Sequence, residues 1–400
     1  MFGPYSALFR VDGSWQFSSA GFVARLPISM MGIGTVLLIS QTTGRYALAG
    51  AVAGVIALSS GVFGPVSGRL MDRFGQARIL RPFLLAYVVG VAGLIVAVRT
   101  EAPVWTWFLA AVVSGAVPQF GSLVRARWAA VLPAGAARQT AFAFESVVDE
   151  VVFVTGPPLV TFLAIGVSPA AGLMAAVVFA LTGGLALAAL RRTEPAPAPK
   201  DSVHPGFRAV MRPGLLVVSL TMLGAGAVFG SVEVTVIAYA DELGAPAWAG
   251  AILAVYAGGS LLAGLAYGAR QWRRELGRRF LLAAVIFGAA ATMLLAVNSL
   301  PLLAVVMFVS GMSISPVLIG GTSLIDSLMP PGTLTEGLAW VSTGLILGVT
   351  VGAALSGPII DAFGAQRAFV LPAMAGVSTG VIALAGSRWL VGRGSVMLAR

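Results

Sequence analysis

Gly68-Arg69-Leu70-Met71-Asp72-Arg73-Phe74-Gly75-Gln76-Ala77-Arg78 is the most informative segment of the chain. It is a short charged turn that contains two glycines, and a long apolar segment lies on each side of it. Charged side chains are costly in hydrocarbon, so the turn cannot be buried in lipid. We therefore expect it at a membrane surface, where Asp72 and Arg73 find polar partners.

The composition agrees with this expectation. Of 400 residues, 58% are hydrophobic and 10% are charged, and the mean hydropathy is +0.95. A soluble domain has about 25% charged residues. No alternating pattern of the β-barrel type is present. The sequence therefore predicts an all-α membrane protein that crosses the bilayer several times.

Apolar runs of about twenty residues, each long enough to cross a hydrocarbon core of about 30 Å, predict twelve transmembrane helices. In chain order, spans 1 to 12 are expected at residues 18–40, 46–68, 79–98, 103–124, 141–165, 169–190, 214–239, 247–268, 280–298, 301–325, 336–358 and 367–390.

The basic residues are distributed unequally between the two sides that these spans define. The side of the charged turn, with both termini, holds 21 of the 25 Arg and Lys residues, whereas the other side holds only Arg45, Arg99 and Arg367. Arg25 lies inside span 1, and the loop at 326–335 has no basic residue. Arginine-rich loops stay in the cytoplasm. We expect a multi-pass protein of the plasma membrane with both termini cytoplasmic.

The chain is divided near its midpoint by a polar, proline-rich stretch at residues 191–212. Six spans lie on each side of it, and short sequence matches relate the two sides. Val113-Ser114-Gly115 in span 4, for example, parallels Val309-Ser310-Gly311 in span 10. We therefore predict two parallel six-helix repeats, at residues 1–190 and 213–400, joined by a cytoplasmic linker.

The charged turn resembles the signature loop of the major facilitator superfamily of secondary transporters. The positions that carry the resemblance are Gly68, Leu70, Asp72, Arg73, Gly75 and Arg78. The resemblance extends over the whole chain and implies a twelve-span transporter that works by alternating access. It also implies that Asp72 faces the N-terminus of span 11, that Arg73 pairs with nearby carboxylates or carbonyls, and that the loop holds the cytoplasmic side closed.

An alternative interpretation of the loop remains. Its arginines would bind anionic lipid, and Asp72 would be a solvated turn residue. The second-half equivalent at residues 268–274 keeps basic residues but has no acid. If the loop is a gate, it would therefore be asymmetric between the halves and would depend on Asp72 alone.

Ionisable residues inside the spans are candidates for coupling or for the cavity. They are Arg25 in span 1, Glu145, Asp149 and Glu150 in span 5, and Glu233 in span 7. The resemblance implies that spans 1 and 5 are neighbours, so we expect Arg25 to pair with Glu145 or Asp149 and to leave one carboxylate free to exchange protons. The alternative is a permanent ion-pair network that holds spans 1 and 5 together.

Gly156-Pro157 in span 5 predicts a helix kink. The pair partly resembles the antiporter motif of drug–proton exporters, although the further glycines of that motif are absent. A kink that only serves packing is the alternative. Gln119 in span 4 is a candidate substrate contact, or else a packing residue.

The resemblance to drug–proton exporters would also imply an arginine within span 4, and this chain has none there. Arg125 and Arg127 lie at the cytoplasmic end of that span and are interpreted as anchors of the membrane surface, as is Trp128.

The preferred function is efflux of a small organic or amphipathic solute in exchange for protons, with a sugar or metabolite transporter as the alternative. No cofactor or metal is expected, because the chain has no cysteine and a single histidine, His204. Nucleic-acid binding is disfavoured, because the basic residues lie in short loops. No phosphate-binding loop, channel filter, or nucleophile and base for a membrane enzyme is found. A non-transporting sensor would be expected to lose the acids of the cavity.

Overall fold

The computed structural model describes residues 3–197, 210–245, 247–270, 272 and 274–390, and all regular secondary structure within these residues is helical. Lys200, Arg208, Arg273, Arg393 and Arg400, which contribute to the predicted orientation, lie outside the described residues, as does His204.

The helices follow the predicted spans. A short helix, Gly3–Leu8, precedes span 1, and a single 3-10 turn, Arg191–Thr193, follows span 6. Spans 1 to 12 are Ser14–Thr43; Tyr46–Phe74; Gln76–Arg99; Val104–Ser114 with Phe120–Val131; Ala136–Gly166; Ala171–Ala189; Pro213–Glu242; Ala247–Ala269; Leu276–Thr292 with the 3-10 turn Met293–Ala296; Leu300–Gly311 with Ile314–Leu328; Leu334–Phe363; and Ala365–Ala368, Val370–Ala385 and Ser387–Leu390.

Span 4 differs from the others because it is broken. In the described residues, eleven helical segments are long and apolar enough to cross a membrane, and span 4 contributes only the shorter apolar helix Val104–Ser114. Pro118 has no amide hydrogen to continue the helix. Arg125 and Arg127 lower the hydropathy of the second piece. The chain still makes twelve passes, as the sequence predicts.

The break in span 4 has a counterpart in span 10. The first helix of span 4 ends at Ser114, and the first helix of span 10 ends at Gly311. These are the positions at which the sequence repeats the motif Val-Ser-Gly. The sequence match therefore coincides with a shared structural feature, which favours an internal repeat.

Buried apolar residues form two clusters. One is drawn from Tyr5 to Ala188, and the other from Val210 to Leu390. The domain boundaries at residues 190 and 213 remain predictions, because residues 198–209 of the linker lie outside the described residues.

Spans 7 and 11 form the closest helix pair of the second cluster. Glycines at every fourth position make the approach possible, because a methyl group on any of them would collide with a carbonyl of the facing helix. These glycines are Gly226 and Gly230 of span 7 and Gly344, Gly348 and Gly352 of span 11.

The spans define two ends of the bundle. We call the end that carries the turn at residues 68–78 the basic face, and the other end the opposite face. The two halves meet where span 2 packs on span 11 and where span 5 packs on spans 8 and 10. These contacts begin at the basic face and reach Gly61 and Glu150, about 20 Å along their helices. The halves are therefore joined on the basic side of the bundle.

Candidate functional site

Two arginines and two acids form a buried cluster between spans 1, 4 and 5. Arg25 donates through Nη1 to Oδ1 of Asp149 at 2.9 Å and through Nη2 to Oε2 of Glu145. Arg125 donates through Nη2 to Oδ2 of Asp149 at 2.7 Å. Arg25, Glu145 and Arg125 are all at least 93% buried, and Asp149 is 32% exposed. The cluster is balanced, with two positive and two negative groups.

Glu145 has no unused oxygen in this cluster. Its Oε1 accepts from Ser18 Oγ at 3.0 Å and from Trp128 Nε1 at 2.7 Å. Asp149 has an arginine on each oxygen. Arg25 thus pairs with both Glu145 and Asp149 instead of with one of them, and Arg125 adds a second positive charge on Asp149. Neither of these two carboxylates is free, which leaves Glu150 as the acid of span 5 without an arginine partner among the described residues.

Span 4 also corrects the interpretation of its polar end. Arg125, Arg127 and Trp128 are not anchors of the membrane surface, since each of them is at least 93% buried. Arg127 donates to the carbonyls of Leu187 and Leu190 at the end of span 6. The break in span 4 carries its second helix back among spans 1, 5 and 6, so that these side chains point into protein.

Glu150 is next to Asp149 in sequence but projects about 100° away around the helix. Its Oε1 accepts from Ser260 Oγ of span 8, and Ser315 Oγ of span 10 lies 3.5 Å away. Ser315 itself donates to the carbonyl of Ser260 at 2.9 Å. Glu150 thus joins the first half of the chain to the second.

The other oxygen of Glu150 has no partner. Its Oε2 is buried and forms no hydrogen bond with any residue that the structure describes. No arginine or lysine in the described ranges forms an ion pair with it. A buried carboxylate without a counter-charge is costly, whereas a neutral carboxyl is much less so.

The structure does not bring the remaining cavity candidates to this cluster. Glu233 lies exposed on span 7. Gln119 is buried at the break of span 4, where its side chain packs against Gly64 of span 2. Within the described part of the chain, no group of three or more acids or histidines is arranged to hold a metal.

Gly156-Pro157 lies inside span 5, which remains one helix from Ala136 to Gly166. Gly156 is packed against the side chain of Ser29 in span 1. The hydroxyl of Ser29 donates to the carbonyl of Val152 at 2.9 Å. The pair therefore lies where span 1 comes closest to span 5.

The charged turn contacts the second half at the basic face. The carboxylate of Asp72 accepts from the amides of Thr335 at 3.2 Å and Glu336 at 2.9 Å, in the first turn of span 11. A methyl group on Gly68 would lie 2.9 Å from the carbonyl oxygen of Thr335, so glycine is needed for this approach. Gly75 ends span 2 with φ +91°, a conformation that favours glycine.

Arg73, one of the three arginines of the turn, behaves differently from the expectation. The guanidinium of Arg73 lies over the ring of Phe74, 5.2 Å from its centre, and pairs with no carboxylate among the described residues. The predicted pairing of Arg73 is therefore wrong in this state, because its side chain folds back onto its own helix. Arg78 is exposed at the start of span 3.

Further contacts between the halves at the basic face come from residues that the sequence did not single out. Arg138 donates to both oxygens of Asp326, at 2.9 and 2.8 Å. Tyr5 donates to the carbonyl of Leu265 at 3.0 Å. Asp326 is the first residue of the loop at 326–335, which is the loop of this face without basic residues. This exception to the charge pattern was a signal that could have identified Asp326.

Comparison with known proteins places this geometry in context. A sequence model of the Major Facilitator Superfamily matches residues 17–275 and 234–391. No curated protein matches the chain significantly.

Solved structures share the fold. A bacterial homologue of the iron transporter ferroportin, in an outward-facing state, has 13% identity and a TM-score of 0.73, with 94% of this chain and 99% of that chain covered. The human organic anion transporter MFSD10 has 16% identity and a TM-score of 0.70, with 92% and 99% covered. The fucose:proton symporter of E. coli has 12% identity and a TM-score of 0.69, with 93% and 98% covered. At these identities the likeness concerns the fold alone.

Proposed function

The chain belongs to the major facilitator superfamily, and from this premise we propose that it is a secondary transporter that exports a small organic or amphipathic solute in exchange for protons. The observation that carries the proposal is Glu150, which joins the two halves and has one buried oxygen without a partner. A group that gains and loses a proton at the contact between the halves can couple proton transfer to their relative movement.

The proposed cycle has two steps at Glu150. With the halves joined on the basic side, Glu150 is neutral and accepts a hydrogen bond from the Ser260 hydroxyl. The neutral form is favoured there because a buried carboxylate without a counter-charge is costly. When the halves separate at the basic face, Glu150 loses Ser260 and meets water. Ionisation is then no longer penalised by burial, and the proton leaves on that side.

The balanced cluster has a different role in this proposal. Arg25, Glu145, Arg125 and Asp149 satisfy one another, so they fix spans 1, 4 and 5 as one rigid unit. Asp149, which is partly exposed, is the member that a solute or proton reaches first. Glu233 and Gln119 remain candidates for the wall of the cavity.

The basic face is the proposed cytoplasmic gate. Asp72 holds the two halves together there, because its carboxylate binds the first turn of span 11. Gly68 and Gly75 allow the close approach. Arg73 and Arg78 flank the contact. The arginine distribution supports a cytoplasmic position for this face and for both termini, in a plasma membrane. The direction of transport is proposed from the partial likeness of Gly156-Pro157 to the exporter motif.

Proton-coupled transport is tested in liposomes. A panel of amphipathic amines, organic anions and monosaccharides is first screened by thermal stabilisation of the purified protein. The compound with the largest shift is loaded into proteoliposomes that contain a pH-sensitive dye. We expect solute efflux to acidify the interior. Alkalinisation during efflux would instead indicate symport, as in the alternative sugar or metabolite transporter.

The role of Glu150 is tested in the same assay. Glu150→Gln should abolish the solute-dependent pH change and make solute exchange independent of pH. The control Glu101→Gln, at an exposed position, should behave like the native protein. An undiminished pH change in Glu150→Gln would refute the assignment.

A further inference from the structure

The charged turn after span 2 has a second copy after span 11. Residues 357–367 repeat residues 68–78 at five positions with identical spacing: Gly357 for Gly68, Asp361 for Asp72, Phe363 for Phe74, Gly364 for Gly75 and Arg367 for Arg78. The first copy lies at the basic face and the second at the opposite face. This copy, unlike residues 268–274, keeps the acid.

The two copies also share their backbone geometry. Gly75 has φ 91° and ψ 147°, and Gly364 has φ 82° and ψ 159°. In each case a glutamate from elsewhere in the chain, in the linker for the first copy and at the end of span 7 for the second, accepts a hydrogen bond from the first turn of the helix that follows. Glu194 accepts from the amide of Ala77 at 2.8 Å, and Glu242 accepts from that of Ala365 at 2.7 Å. The glycine turn is therefore repeated in the backbone, and the bonded amide lies two residues after Gly75 in the first copy and one residue after Gly364 in the second.

The N-terminal ends of spans 2 and 11 correspond in the same way. Gly44, with φ 71°, lies two residues before span 2, and Gly332, with φ 76°, lies two residues before span 11. Spans 2 and 11 run antiparallel and pack on each other. At the basic face, the end of span 2 meets the start of span 11. At the opposite face the order is reversed, and the end of span 11 lies on the side of the start of span 2.

Only the copy at the basic face is engaged. Asp72 holds two amides of span 11, whereas Asp361 is exposed and has no hydrogen bond or ion pair with any described residue. Gly68 is pressed against span 11, whereas a methyl group on Gly357 would meet no atom within 4 Å. The second copy has the parts of a latch but no contact in this state.

We propose that Asp361 is the latch of the opposite face and engages when the halves close there. Its carboxylate then accepts from the amides of Ala47 and Leu48, which correspond to Thr335 and Glu336 at the start of span 11. Gly357 gives span 2 the room to approach. Each state of the cycle thus has one acid on one helix N-terminus, Asp72 in one state and Asp361 in the other.

The inference rests on alternating access and is independent of proton coupling. It also changes the expectation that a gate depends on Asp72 alone. Residues 268–274, which follow span 8, have no acid equivalent to Asp72. The equivalent acid is Asp361, which lies at the opposite face, at the end of span 11, and span 11 is the helix that packs on span 2.

The test uses cross-linking, because the native chain has no cysteine. Leu48→Cys and Ala354→Cys place one thiol on the half of each span nearer the opposite face. A short bifunctional maleimide then traps every visit to the state closed at that face, so the trapping rate reports its population. In this background, Asp361→Asn should lower the rate about tenfold, the effect of losing a charged acceptor at a helix N-terminus.

Matched variants make the result specific. Asp241→Asn, an exposed acid at the same face, should leave the rate unchanged, Asp361→Glu should restore part of it, and Asp72→Asn should raise it. Three results would overturn the latch. They are a trapping rate in Asp361→Asn within twofold of the parent, an equal loss of rate in Asp241→Asn, and no trapping in any background. Failure of the proton assay with Glu150→Gln would leave these rates as expected, so the two proposals fail separately.

Discussion

Asp149 and Glu150 are adjacent in the chain, yet they lie in opposite electrostatic surroundings. Asp149 has an arginine on each oxygen, and both arginines come from its own half of the protein. Among the described residues, the hydrogen-bond partners of Glu150 are hydroxyl groups, and these come from the other half. A paired acid inside one half serves stability, whereas an unpaired acid between halves can respond to their movement. The predictions below test this difference.

The largest expected effect concerns the paired cluster. Glu145→Gln leaves the buried Arg25 with less negative charge, and breaking a buried pair costs about 3–5 kcal/mol. Thermal unfolding in detergent should show a correspondingly large loss of stability. Arg25→Met together with Glu145→Gln keeps the Arg125–Asp149 pair and should recover much of the loss. Additive losses in the double variant would show that the two residues do not act as a pair.

A smaller effect is expected at the gate on the basic face. Asp72→Asn removes a charged acceptor from the first turn of span 11, an interaction of about 1–2 kcal/mol. The population open at this face should rise by roughly tenfold. The measurement is the maleimide labelling rate of a single cysteine at Val147, which faces Gly264 across the half interface. An unchanged rate would support the alternative in which Asp72 is only a solvated turn residue.

The smallest effect concerns the hydroxyl that binds Glu150. Ser260→Ala removes one hydrogen bond, which contributes about 0.5–1.5 kcal/mol. Because the bond joins the halves, the loss should appear in the same labelling rate as an increase of a few fold, with little change in unfolding temperature. Thr221→Ala, a buried hydroxyl bonded within span 7, is the control and should leave the labelling rate unaltered.

Much of the fold follows from the sequence because hydropathy and turn residues operate locally. The twelve passes are of this kind, whereas the position of Arg25 beside Glu145 and Asp149 was expected only because the family resemblance makes spans 1 and 5 neighbours. Pro118-Gln119 also indicates the break of span 4 in the sequence. The sequence does not indicate where the helix after the break packs. Because the second helix of span 4 turns back into the bundle, Arg125 and Trp128 become internal partners of Asp149 and Glu145.

The partners of Glu150 could not be predicted for a different reason. Serines are common in apolar helices, where most of them bond to a carbonyl of their own helix. Ser260 and Ser315 differ from these only because spans 8 and 10 meet span 5. That contact depends on how the two halves dock, and no local pattern encodes it.

In the proposed cycle Glu150, and not its paired neighbours, carries the exchangeable proton. Infrared difference spectroscopy of the purified protein measures this directly, because a protonated carboxyl has a carbonyl stretch that a carboxylate lacks. We predict a protonated-carboxyl band at neutral pH that disappears in Glu150→Gln and persists in Asp149→Asn. A band that survives Glu150→Gln, or that is lost in Asp149→Asn, would show that the exchangeable proton is not on Glu150.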